Sequence, residues 1–263
     1  MHSSGTNSRT KGRLNISAVG PRFGSTKLAT LIIRSALTLA VLSALLLIAA
    51  PAQAQTETVL YSFGSQTGDG YGPVAGLIFD KAGNLYGTAR AGGAYSNGTV
   101  FELTAAGTEK VLYSFGSQPG DGQMPEAGLT FDKKGNLYGT TSGGGAYGID
   151  EGTVFELTAA GTETVLYSFG GQPDDGSYLW AGLTFDKKGN LYGVTVDGGA
   201  HGGGTVFEVT AAGKEKNLYS FGSEAGDGNN PYGGLIFDKK GNLYGTTLWG
   251  GAYAGGTVFK LVP

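Results

Sequence analysis

Few side chains in this sequence can do covalent chemistry. There is no cysteine, and His201 is the only histidine after residue 54. No Gly-x-Ser-x-Gly, His-Glu-x-x-His or phosphate-loop pattern occurs. Glycine runs such as Gly143-Gly144-Gly145 precede strand-like sequence, so no helix N-terminus is at hand to cradle a phosphate. Two acids, Glu126 and Asp197, stand where glycosidase or lyase chemistry would need a carboxylate pair, provided that the fold brings them together. The other chemistry on offer is recognition. Tyr71, Tyr178, Trp180, Tyr232 and Trp249 supply aromatic faces for stacking on a sugar or gripping a peptide, with Arg90, Glu126, Asp197 and His201 as polar selectors. The acids Asp69, Asp121, Asp175 and Asp227 recur in glycine-rich turns, where Asp bonds its own backbone and the following Gly is expected at positive φ. Four of them near one pore mouth could instead gather oxygen ligands for calcium, the only cofactor the sequence suggests, though the spacing matches no cation loop. No residue is assigned to a metal.

What must position these residues is a repeat. LYSFG begins at Leu60, Leu112, Leu166 and Leu218, at spacings of 52, 54 and 52 residues; GNLYG begins at Gly83, Gly135, Gly189 and Gly241 with the same spacings. GTVFE or GTVFK begins at Gly98, Gly152, Gly204 and Gly256. Periods of this length with strand-like content are characteristic of propeller blades. In the second unit the strand candidates are a (Gly128–Asp132), b (Asn136–Thr141), c (Gly152–Leu157) and d (Thr164–Phe169), rich in β-branched and aromatic residues. No stretch after residue 54 carries a helical period long enough for a parallel crossover. The sequence therefore predicts an all-β propeller of four blades, each a four-stranded antiparallel meander.

After residue 54 the chain opens with a d-type segment, Thr58–Phe63, and finishes with a c-type one, Gly256–Leu261. The expectation is that the first completes the last blade and closes the ring in a monomer, pairing two sheet edges that would otherwise invite aggregation. Two chains sharing one eight-bladed ring, and a linear β solenoid, are the rivals. In such a meander the a-to-b and c-to-d turns leave at one end and the b-to-c and d-to-a connections at the other. The a-to-b turns, at Asp80, Asp132, Asp186 and Asp238, are nearly identical, so that end reads as structural. At the opposite end the repeats diverge: Val74, Glu126, Trp180 and Tyr232 are equivalent, as are Arg90, Ser142, Val196 and Leu248. A variable rim on a rigid scaffold is the usual place for function.

The repeated GLxFDxxGNLYGT, followed by GTVFELT and VLYSF, resembles the GloVer tandem repeat over residues 57–263. The resemblance implies export and a β-propeller, often with C-terminal sorting or anchoring signals; with Leu261-Val262-Pro263 coming immediately after the last strand segment, no such anchor is expected here. It brings no activity or site residue with it.

The first 54 residues hold six Lys or Arg and no acid; the remainder holds 21 acids and 12 bases. The uncharged run Ser35–Ala50 followed by Ala52-Gln53-Ala54 reads as a secretory signal, 1–54, cut after Ala54, with an uncleaved anchor as the rival. Residues 55–263 then form one domain that is secreted, extracellular or periplasmic, with no membrane span after cleavage. Its acidic balance argues against nucleic acid. With 50 Gly and 8 Pro but 40% hydrophobic residues, the chain is turn-rich and folded rather than disordered. A carbohydrate- or peptide-binding or scaffold module is the leading reading; an extracellular carbohydrate-active enzyme and a purely structural cell-surface protein are the alternatives.

Overall fold

The alternation of β-branched and aromatic residues with glycine-marked turns produces strands and no helix in the computed structural model, which describes residues 55–263. The signal expected at 1–54 lies outside the described residues. Strands a to d are Ile78–Phe79, Leu85–Ala89, Thr99–Leu103 and Glu109–Ser114 in the first repeat. They are Thr130–Phe131, Leu137–Thr141, Thr153–Leu157 and Glu163–Ser168 in the second. In the third they are Thr184–Phe185, Leu191–Thr195, Thr205–Val209 and Glu215–Ser220. Each set is one antiparallel sheet in the order a-b-c-d, the expected meander.

The a-to-b turn is built as its sequence predicts. Asp132 Oδ1 accepts the N–H groups of Lys134 and Asn136 at 2.8 and 2.9 Å, and Gly135 takes φ 90°. The second glycine of GNLYG has a different cause. A Cβ on Gly193 would lie 2.5 Å from the Phe207 ring, its cross-strand neighbour, so glycine is needed for close approach.

The core lies between consecutive sheets. Val154 and Phe169 of the second repeat pack with Leu183, Leu191 and Phe207 of the third, and the other two junctions repeat that arrangement. Phe115, Phe169 and Phe221, each just after a strand d, meet Phe155, Phe207 and Phe259 edge-on at 5.0 to 5.1 Å. Thr88 and Thr140 hydroxyls donate across the junctions to the carbonyls of Ala127 and Ala181 at 3.1 and 3.2 Å.

Two expectations are corrected. The fourth repeat has only Ile236–Phe237, Leu243–Thr247 and Thr257–Leu261, in a three-stranded sheet; Thr58–Phe63 forms no strand and does not complete it. Instead Phe63 packs edge-on against Phe101 of the first repeat at 4.9 Å, so local packing decides where this segment goes. The glycines after Asp69, Asp121, Asp175 and Asp227 are not at positive φ. They are glycines because side chains fill the space: a Cβ on Gly122 would lie 2.5 Å from the Thr141 methyl and 2.8 Å from the Thr153 hydroxyl.

Candidate functional site

The variable rim is carried by four short ladders that the strand pattern did not reveal. They are Gly70–Tyr71 with Ala91–Gly92, Gly122–Gln123 with Gly143–Gly144, Gly176–Ser177 with Asp197–Gly198, and Gly228–Asn229 with Trp249–Gly250. Each pairs the d-to-a connection with the b-to-c connection. The residue following each first arm sits at positive φ in every repeat: Gly72, Met124, Tyr178 and Asn230, at 69°, 52°, 57° and 54°. That conformation suits Gly and Asn but strains Met and Tyr.

The rim brings three of the aromatic candidates together. Tyr178 and Trp180 have ring centroids 6.0 Å apart, and Trp180 and Tyr232 are 5.1 Å apart, so the cluster runs from the third repeat into the fourth. Trp180 and Tyr232 stay exposed despite these contacts, at 37% and 41%. Two junctions earlier, between the first and second repeats, Arg90 Nε is 2.8 Å from Glu126 Oε1, with Glu126 only 17% exposed. Asp197 is held by the Asn230 amide, which donates to its Oδ1 at 2.8 Å and to the Val196 carbonyl at 3.0 Å. Glu126 and Asp197 therefore have separate partners, one an arginine and one an amide, and are not drawn into a pair with each other. Tyr71 in the first ladder and Trp249 in the fourth are exposed and lie outside the aromatic contacts, as does exposed His201.

The repeated aspartates are structural ties. Asp121 Oδ2 accepts from the Tyr113 hydroxyl and the N–H groups of Gly116 and Ser117 at 2.8 to 3.0 Å, and Oδ1 accepts from Gly122 N–H. Among the described residues no group of three or more His, Asp or Glu is placed to hold a metal ion.

Sequence reasoning missed the acids that face these ties. Glu109, Glu163 and Glu215 open the d strands beside Asp69, Asp121 and Asp175. Burial, reinforced by the neighbouring aspartate charge, pushes Glu163 and Glu215 up to about 7 and raises Glu109. Glu163 Oε2 accepts from the Gln118 amide at 3.0 Å, while its buried Oε1 has no partner among the described residues. The signal was available, since an acid recurs at one position of a predicted strand end. The end read as structural also holds more than turns. Clefts of about 580 and 560 Å³ open between successive a-to-b turns, lined by Phe131, Phe185 and Phe237 with the Lys133-Lys134, Lys187-Lys188 and Lys239-Lys240 pairs.

A family model described as the Gloeobacter/Verrucomicrobia repeat matches residues 46–184 and again 149–263. The chain belongs to this repeat family. The suspected GloVer resemblance is thereby borne out. Comparison with curated proteins gave no match. Among solved structures, the chain is similar to a Bacteroides thetaiotaomicron protein described as the extracellular domain of a hybrid two-component system. Identity is 15% and the TM-score 0.47, over 78% of this chain and 24% of that one. It is also similar to a Thermus thermophilus protein described as a glucose dehydrogenase, at 18% identity and TM-score 0.45, over 75% and 63%. A Dyadobacter fermentans protein described as of unknown function gives 11% and 0.46, over 70% and 59%. The chain spans less than two thirds of the length of these structures, and likenesses at this level carry no argument about activity. The propeller-like repeat fold rests on the sheets themselves and the family.

Proposed function

We propose that the protein is an exported binding module that takes carbohydrate or peptide on the rim formed by the d-to-a and b-to-c connections. The observation that supports this most directly is the Tyr178–Trp180–Tyr232 cluster, which keeps two aromatic faces exposed on a β scaffold with fixed neighbours. Exposed aromatics that pack against one another are pre-organised, so a ligand stacking on them costs little ordering entropy. Asp197 with Asn230 supplies fixed polar groups at the same junction, and Arg90 with Glu126 supplies others at the first junction. A glycan and peptide array probed with the full chain as exported tests the reading. Binding that Trp180→Ala with Tyr232→Ala reduces at least tenfold supports it, whereas unchanged binding, or none by folded protein, overturns it.

A second reading has its own observation, the lysine-lined clefts at the opposite end. An acidic polysaccharide held there would be lost with Lys134→Glu and Lys188→Glu, would weaken steeply with salt, and would be indifferent to Trp180.

A further inference from the structure

Every junction between consecutive repeats uses the same parts. The valine of strand c and the phenylalanine after strand d meet two leucines of the next repeat, one just before strand a and one opening strand b. The sets are Val100 and Phe115 with Leu129 and Leu137, Val154 and Phe169 with Leu183 and Leu191, and Val206 and Phe221 with Leu235 and Leu243. Half of this junction is uncovered on the fourth repeat and the other half on the first. Val258 is 82% exposed where Val100, Val154 and Val206 are at 0%, and Leu77 is 50% exposed where Leu129, Leu183 and Leu235 are at 8% or less. The rim follows suit. Where Arg90 meets Glu126 across the first junction, the equivalent positions on the free faces are Leu248 and Val74, both apolar and exposed.

The backbone edges match as well. Strands c of the first three repeats are covered by a strand d, but Thr257–Leu261 has no such neighbour among the described residues. Conversely, the segment through Tyr61 and Phe63 occupies the place of a strand d with no strand c beside it. Phe63 meets Phe101 as Phe115 meets Phe155, and the Tyr61 hydroxyl donates to Asp69 at 2.8 Å as Tyr113 does to Asp121. One chain does not join these faces itself. A Cβ on Gly128, Gly182 or Gly234 would lie 3.1 to 3.6 Å from the carbonyl oxygen of the preceding Gly76, Gly128 or Gly182, yet a Cβ on Gly76 would have no described atom within 4 Å.

We propose that a second copy of this chain covers both faces. Thr257–Leu261 of each copy pairs with the stretch from Val59 to Ser62 of the other, and Val258 of each docks on Leu77 of the other. By the pairing of Thr153 with Ser168 and Val154 with Tyr167, Thr257 lies opposite Ser62 and Val258 opposite Tyr61. This continues an interface already made three times within the chain, and two copies are the fewest that leave no edge open.

The test uses the full chain as exported, which has no cysteine of its own. Sedimentation gives twice the mass found by mass spectrometry. Val258→Asp, at a site exposed in the single chain, halves that mass while the circular dichroism spectrum is kept. Ser62→Cys with Thr257→Cys, oxidised after purification, gives a covalent dimer on a non-reducing gel. A monomer by sedimentation overturns the proposal, as does a disulfide formed within one chain or a series of open polymers. Should the cysteine variant not fold, the mass of the unsubstituted chain decides alone.

Discussion

At the scale of single residues, departures from the repeat expose what each position does. Thr141, Thr195 and Thr247 close strand b and share a hydroxyl hydrogen bond of 2.8 to 2.9 Å with Thr153, Thr205 and Thr257. The first repeat has Ala89 there, which leaves the buried Thr99 hydroxyl without a partner among the described residues. Ala89→Thr restores the pair and is expected to stabilise by about 1 kcal/mol in denaturant unfolding. Glu163 makes a prediction about pH. Its folded value, raised to about 7, lies above the ordinary 4.5, so the folded state holds the proton more tightly. Its stabilising contribution is full below about pH 4.5 and is lost as pH rises through 7. Glu163→Gln should therefore flatten the fall in thermal midpoint between pH 5 and 8, raising stability at pH 8 by on the order of 2 kcal/mol. A variant whose midpoint keeps the original pH slope would show that another group titrates.

At the scale of elements, the short rim ladders decide how function is displayed. They fix the d-to-a connection against the b-to-c connection and set the residue after each first arm at positive φ. Tyr178 holds that position against its preference, strain of the kind that clusters at ligand-binding places. Tyr178→Asn should raise stability by about 0.5–1 kcal/mol while weakening binding at the rim, read by calorimetry with the array ligand. A variant that binds as before would remove Tyr178 from the site. The ladders themselves were not legible in the sequence. Two-residue strands, each with at least one Gly, are too short to carry an alternating pattern, and only the close approach of Gly122 to Thr141 and Thr153 reveals why glycine is required.

Across Val59–Pro263 the repeats hold one another. No sheet buries its own faces, so the phenylalanine after each strand d serves two repeats at once. Phe169→Ala should cost about 3–5 kcal/mol, since the ring is fully buried between the second and third repeats. Phe63→Ala, on the segment with no strand c beside it, should cost less in dilute solution. Comparing their denaturation midpoints at low and high protein concentration separates packing within a chain from packing between chains.

The sequence by itself determined the four repeats, the strand order of the first three, the structural a-to-b turns and the family. These follow from local chemistry repeated at a fixed period, where side-chain alternation and turn residues leave little choice. It also marked the variable rim, because divergence among equivalent positions is visible without coordinates. Tertiary structure decided which rim residues meet: Trp180 with Tyr178 and Tyr232, Arg90 with Glu126, and Asp197 with Asn230 rather than with Glu126. It decided too that Thr58–Phe63 leaves the fourth sheet with three strands. Apart from Tyr178 with Trp180, such contacts join residues tens of positions apart, and whether the two ends of a repeat array meet depends on how every junction between repeats packs, a sum that no single motif encodes.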